Sequence, residues 1–131
     1  SVKQLDSLHS QCPNLLVKLI HTQLEFEIEN VNLKAINFLK DRYPFDVAFG
    51  NHCEDIEVLY TSIAFKPSDI FFYVKSDWKE EHIDEKHSVK LSEVGKLVND
   101  LKKLPKSLGV AEKFEVKIKD RYLIQNVKDE K

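Results

Sequence analysis

Asp55-Ile56-Glu57-Val58-Leu59-Tyr60-Thr61-Ser62-Ile63-Ala64-Phe65-Lys66-Pro67-Ser68-Asp69-Ile70-Phe71-Phe72-Tyr73-Val74-Lys75-Ser76-Asp77-Trp78 is the stretch on which the reading of this chain turns. Two runs rich in β-branched and aromatic residues flank Lys66-Pro67-Ser68-Asp69, whose residue types favour a turn. Both parities of the first run are apolar, with Ile56, Val58 and Tyr60 against Leu59, Ile63 and Phe65. In the second run Ile70, Phe72 and Val74 alternate with Phe71 and Tyr73. Strands that are apolar on both sides are usually covered on both sides. The expectation is a β-hairpin over about 55–78 at the centre of a packed sheet.

Upstream, Val2 to Cys12 reads as a short helix that stops before Pro13, because the residue preceding proline is pushed out of the helical region. Residues 14–41 admit two readings. Val17, Ile20, Leu24, Ile28, Val31, Ala35 and Phe38 recur at helical spacing, whereas Leu24-Glu25-Phe26-Glu27-Ile28-Glu29 alternates as a strand does. The second reading gives a helix over 14–21, a strand over 23–29 and a helix over 32–41 capped by Asn30 or Asn32. A short strand, Phe45 to Phe49, then runs into a turn at Gly50-Asn51.

Downstream of Trp78 the chain is charged and expected to be exposed as far as residue 90. The clearest helix follows over about 91–104, on Leu91, Val94, Leu97, Val98, Leu101 and Leu104. Ser88 or Ser92 can cap it, Pro105 interrupts it and Gly109 closes the turn. Phe114, Val116, Ile118, Tyr122 and Ile124 alternate with polar residues, as in an edge strand over 114–124. The expected fold class is α+β, with a four- or five-stranded mixed or antiparallel sheet. N-terminal helices and the helix at about 91–104 would pack against it. Residues 1–131 read as a single domain excised from a larger protein. In layout, helices around a meander of strands, the chain is similar to small adaptor domains of the RWD type. It shares their Tyr43-Pro44 pair but not the second proline of their motif.

Composition removes several classes of function. The chain has 131 residues, is 42% hydrophobic and 32% charged, and carries a formal net charge of −2. Its longest apolar run, Ile70 to Val74, is far short of the roughly 20 residues of a membrane span, so no membrane partner is expected. Only Gly50, Gly95 and Gly109 are glycines, so the glycine-rich loops that cradle phosphates are absent. Cys12 and Cys53 do not make a disulfide framework and read as reduced thiols in an intracellular protein, cytoplasmic or nuclear. Lys and Arg number 11 against 17 Asp and Glu up to residue 101, and 9 against 5 beyond it. A nucleic-acid face is therefore conceivable only towards the C-terminus, on Lys96, Lys102, Lys103 and Lys106 with Lys113, Lys117, Lys119 and Arg121.

Three clusters invite a chemical reading. His52-Cys53-Glu54-Asp55 places an imidazole beside a thiol, but neighbours in an extended chain point to opposite faces. The acidic residues there would also raise the thiol pKa. His82-Ile83-Asp84-Glu85-Lys86-His87 offers two imidazoles and two carboxylates at a spacing that one helix does not converge, so a solvated loop is favoured over a metal site. The glutamates at 25, 27 and 29 lack the apolar pocket that acid–base work requires. No catalytic residue, cofactor or metal ligand is assigned.

The main expectation is a non-enzymatic interaction domain, an adaptor or scaffold. It would dock another protein or a second copy of itself through a sheet face or the C-terminal edge strand. Phe71, Tyr73, Trp78, Lys117, Lys119, Arg121 and Tyr122 are the contact candidates. The alternative is a small-molecule-binding or enzymatic α+β domain, in which the aromatic strands line a pocket whose polar groups are Tyr60, Tyr73 or His52. Nucleic-acid binding is the second alternative.

Overall fold

The computed structural model describes residues 1–13, 18–24, 27–78 and 84–111. Every strand pair among them is parallel. β1 (Lys18–Thr22) pairs with β2 (Asp46–Gly50), and β2 with β3 (Ile70–Phe71), in the order β1-β2-β3. A second ribbon joins β4 (Tyr73–Lys75) to β5 (Ser88–Lys90). Helix α2 (Lys34–Arg42) connects β1 to β2, and α3 (Glu57–Ser62) with a 3-10 turn at Ile63–Phe65 connects β2 to β3. Parallel neighbours need such crossovers, because a tight turn can only reverse the chain.

The α+β expectation therefore holds, and the hairpin does not. Residues 57–62 are helical, and β3 pairs with β2 in parallel. The reason lies in the burial pattern of the first run. Val58, Leu59, Ser62 and Ile63 are buried, and these positions share one face of a helix. Two hydroxyls are satisfied within the helix: Ser62 donates to the Leu59 carbonyl at 2.7 Å and Thr61 to the Glu57 carbonyl at 2.9 Å. The turn signal at 66–69 is real but leads from helix to strand. Lys66 has φ 50°, and the Ser68 amide then donates to the Val47 carbonyl at 2.8 Å. A meander of the RWD kind is accordingly not formed.

The region 14–41 is corrected as well. Its strand is β1, where the helix over 14–21 was expected, and Ile28–Asn30 is a 3-10 turn where a strand was expected. Residues 14–17 and 25–26 lie outside the described set. Asn32 caps no helix through its side chain. It takes φ 46°, and Leu33 precedes α2. α1 (Val2–Gln11), β2 and α4 (Leu91–Lys103) stand close to where the sequence puts them. Gly109, at φ 56°, closes the 3-10 turn that follows α4. The expected edge strand 114–124 lies outside the described residues.

Most of the core sits on one face of the sheet, although Ala48 in the central strand is buried on the other. β1 is buried at Leu19 and His21 only, with Lys18, Ile20 and Thr22 exposed. Val47 and Phe49 continue the buried face in β2, and Ile36 of α2 and Leu59 of α3 close it from the helix side. Three polar contacts lock the surrounding elements. The Lys40 amine donates to the Phe65 carbonyl at 2.8 Å and also to that of Lys66. Asp6 of α1 receives Arg42 through two nitrogens, at 3.0 and 2.6 Å, and the Tyr43 hydroxyl at 2.7 Å. Asp77 accepts the Ser92 amide at 3.0 Å and its hydroxyl at 2.6 Å, capping the start of α4 from a remote position.

Candidate active site

In open sheets of parallel strands, ligands bind beyond the carboxyl ends of the strands. Here those ends are Thr22, Gly50 and Phe71, which the register sets side by side. They border a cavity of about 300 Å³ lined by Ile20, Thr22, Gly50, Asn51, His52 and Phe71 to Tyr73. A larger hollow of about 510 Å³ lies between residues 66–70 and α4. It is mostly apolar and sits at the amino end of β3, so the smaller cavity is the better candidate.

Two rings, His52 and Tyr73, line this cavity, and a third, the buried His87, packs against them. His52 lies edge-on to Tyr73, with centroids 5.1 Å apart, and its ring is 5.2 Å from that of His87. Tyr73 and His87 stand 4.9 Å apart at 84°. Each comes from a different element. His52 follows β2, Tyr73 opens β4, and His87 immediately precedes β5. The parallel pairing of Tyr73 with Ser88 delivers His87 to the cluster.

His87 is 6% exposed, and burial holds its imidazole below the ordinary value. Asp84, whose carboxylate lies 3.5 Å from Nε2, pulls the other way, while His52 reinforces the shift. Burial thus favours the uncharged imidazole, which can take a proton. The segment carrying it is tied down by Lys75, which donates to the Glu85 carbonyl at 2.8 Å, and by Lys86, 3.4 Å from Glu54. Two imidazoles and a phenol can serve acid–base chemistry. Among the described residues, no group of three or more His, Cys, Asp or Glu side chains converges as a metal site.

Of the sequence-derived candidates, Phe71 and Tyr73 line the cavity, and Trp78 is 74% exposed. Lys96 of α4 is paired with Asp100 at 2.7 Å. Lys102, also on α4, borders the larger hollow, and Lys103 and Lys106 are exposed nearby. Lys113, Lys117, Lys119, Arg121, Tyr122 and His82 lie outside the described residues. Of the alternative's polar groups, Tyr73 and His52 face the cavity, and Tyr60 belongs to α3. Cys53 is a buried thiol that burial pushes up, so it is no nucleophile, and Cys12 is free and exposed. His87 is the residue the sequence reading missed as a partner of His52.

The chain is similar to known proteins. Residues 3–113 match the NeuB family. Over 95 residues the chain is 26% identical to N,N'-diacetyllegionaminic acid synthase of Campylobacter jejuni subsp. jejuni. That region is 71% of this chain and 28% of the relative. The fold resembles the crystal structure of N-acetylneuraminic acid (sialic acid) synthetase from Leptospira borgpetersenii, solved with citrate. The TM-score is 0.69 at 21% identity, covering 88% of this chain and 41% of that one. It also resembles protein E of Chromobacterium violaceum, assigned to spore coat polysaccharide biosynthesis. There the TM-score is 0.67 at 15% identity, over 88% and 36% of the two chains. The chain thus spans less than half the length of each. The adaptor or scaffold reading is overturned by these matches, which favour the alternative of an enzymatic domain with an aromatic-lined pocket.

Proposed function

This chain belongs to the NeuB family, and from that premise we propose that it is part of a sugar-biosynthesis enzyme of the sialic acid synthase kind. His52, Tyr73 and His87 would stand in its active site. The observation that carries the reading is the contact of these three rings beside a cavity of about 300 Å³ at the carboxyl ends of β1, β2 and β3, which His52 and Tyr73 line. In this reading the neutral His87 and its neighbour His52 exchange protons with a bound sugar. The phenol of Tyr73 adds a hydrogen-bonding group, and Phe71 gives the sugar ring an apolar surface.

N-acetylneuraminic acid, the sugar that gives the Leptospira relative its name, is a direct probe. Titrated into the isotope-labelled chain, it is expected to shift the ring signals of His52, Tyr73 and His87 first. His52→Ala should weaken that response about tenfold or more, as loss of a hydrogen-bonding group in a buried site does. Shifts confined to other surfaces, or none at millimolar sugar, would remove the reading.

A further inference from the structure

We propose that Asn51 is a positioning residue, whose carboxamide clamps the backbone of Cys53 and so fixes His52 toward Tyr73 and His87. The inference rests on reading this cavity as the active site, and it adds what holds His52 in place. β2 ends at Gly50, yet its ladder runs one step further, with the Asn51 amide donating to the Phe71 carbonyl at 2.9 Å. Where the ladder stops, the Asn51 side chain takes over. Its Nδ2 donates to the Cys53 carbonyl at 3.0 Å, and its Oδ1 accepts the Cys53 amide at 3.3 Å. One carboxamide thus satisfies both backbone groups of the residue two positions on, the local bonding by which asparagine shapes a turn.

The consequence falls on the residue between them. Asn51 is 3% exposed and Cys53 is 2% exposed. His52, between them, is only half-buried. With 51 and 53 pinned inward, residue 52 faces the cavity, where its ring lies 5.1 Å from Tyr73. An alanine at 51 supplies neither arm of the clamp, and an aspartate supplies acceptors only.

Nuclear Overhauser cross-peaks between the ring protons of His52 and Tyr73 test the assignment in the labelled chain. Asn51→Ala is expected to lose them. Cys53→Ala keeps the backbone groups that Asn51 grips, so it should lower Tm yet retain the cross-peaks. That contrast separates positioning from general loss of stability. Asn51→Asp, nearly the same shape, decides the matter should the alanine variant not fold. It keeps an acceptor for the Cys53 amide but loses the donor to the carbonyl. Its cross-peaks should weaken. Wild-type cross-peaks in either folded Asn51 variant, or equal loss in Cys53→Ala, would overturn the assignment. No sugar enters the measurement, so failure of the proposed function leaves this result readable.

Discussion

His87 links the stability of the chain to pH through a single ring. Its imidazole is buried beside Tyr73 and His52, with Asp84, Glu54 and the flanking Lys86 as the charged groups around it. Its folded pKa lies below the unfolded value, so the unfolded chain binds the proton more tightly. The stabilisation is complete above the unfolded pKa of about 6.5 and is lost as pH falls below it towards the lower folded value. Tm is therefore expected to drop as pH falls below about 6.5, and His87→Gln should flatten that part of the profile. An unchanged slope in the variant would assign the transition to another group. Further acidification calls on different residues. Arg42 and Tyr43 hold Asp6 below the usual carboxylate range, and Lys18 and Ser68 do the same for Asp69. Those contributions are present above the unfolded carboxylate values and fade as pH falls through the folded ones.

Helix α3 shows why a local pattern misled. Ile56, Val58, Leu59, Tyr60 and Ile63 are apolar at both parities, which suits a strand covered on both faces and equally a short buried helix. Residue pairs two apart separate the cases. In a strand Leu59 and Thr61 would share a face, whereas in the helix Leu59 is fully buried and Thr61 exposed. Leu59→Ala should cost about 2–5 kcal/mol, and Thr61→Ala should stay within about 0.5 kcal/mol, as read by chemical denaturation. Comparable losses at the two positions would contradict the helix. Elements whose signal is local were legible: α1 stops at Pro13, and α4 repeats its leucines and valines at helical spacing. What escaped depends on long-range parallel pairing, which leaves no turn signature between neighbours. The candidate site escaped with it. His52 was weighed against the adjacent Cys53, and His87 was assigned to a solvated loop, because only the β2–β3 and β4–β5 pairings bring the two together.

At the scale of the molecule, the sheet has two unequal faces. Leu19, His21, Val47 and Phe49 are buried on the side where α2 and α3 pack, whereas on the opposite side only the central strand is covered, at Ala48, and Ile20 and Phe71 beside it remain half exposed. Parallel sheets are almost always covered on both faces. The chain also spans only 28% to 41% of the Campylobacter, Leptospira and Chromobacterium proteins it is similar to. The half-bare face beside the candidate cavity makes a physical prediction for the chain on its own. It should bind an apolar reporter dye such as anilinonaphthalene sulfonate while still melting cooperatively. The double change Ile20→Ser with Phe71→Ser should reduce dye fluorescence severalfold. It should leave Tm nearly unchanged, because side chains already half in water contribute little burial free energy. A large fall in Tm would mean that these residues are packed in solution, and no dye binding by the wild-type chain would mean that the face is already occupied. The two faces thus differ in kind: one holds the strands in register through its apolar core, and the other leaves the carboxyl strand ends and the half-buried His52 beside an accessible cavity.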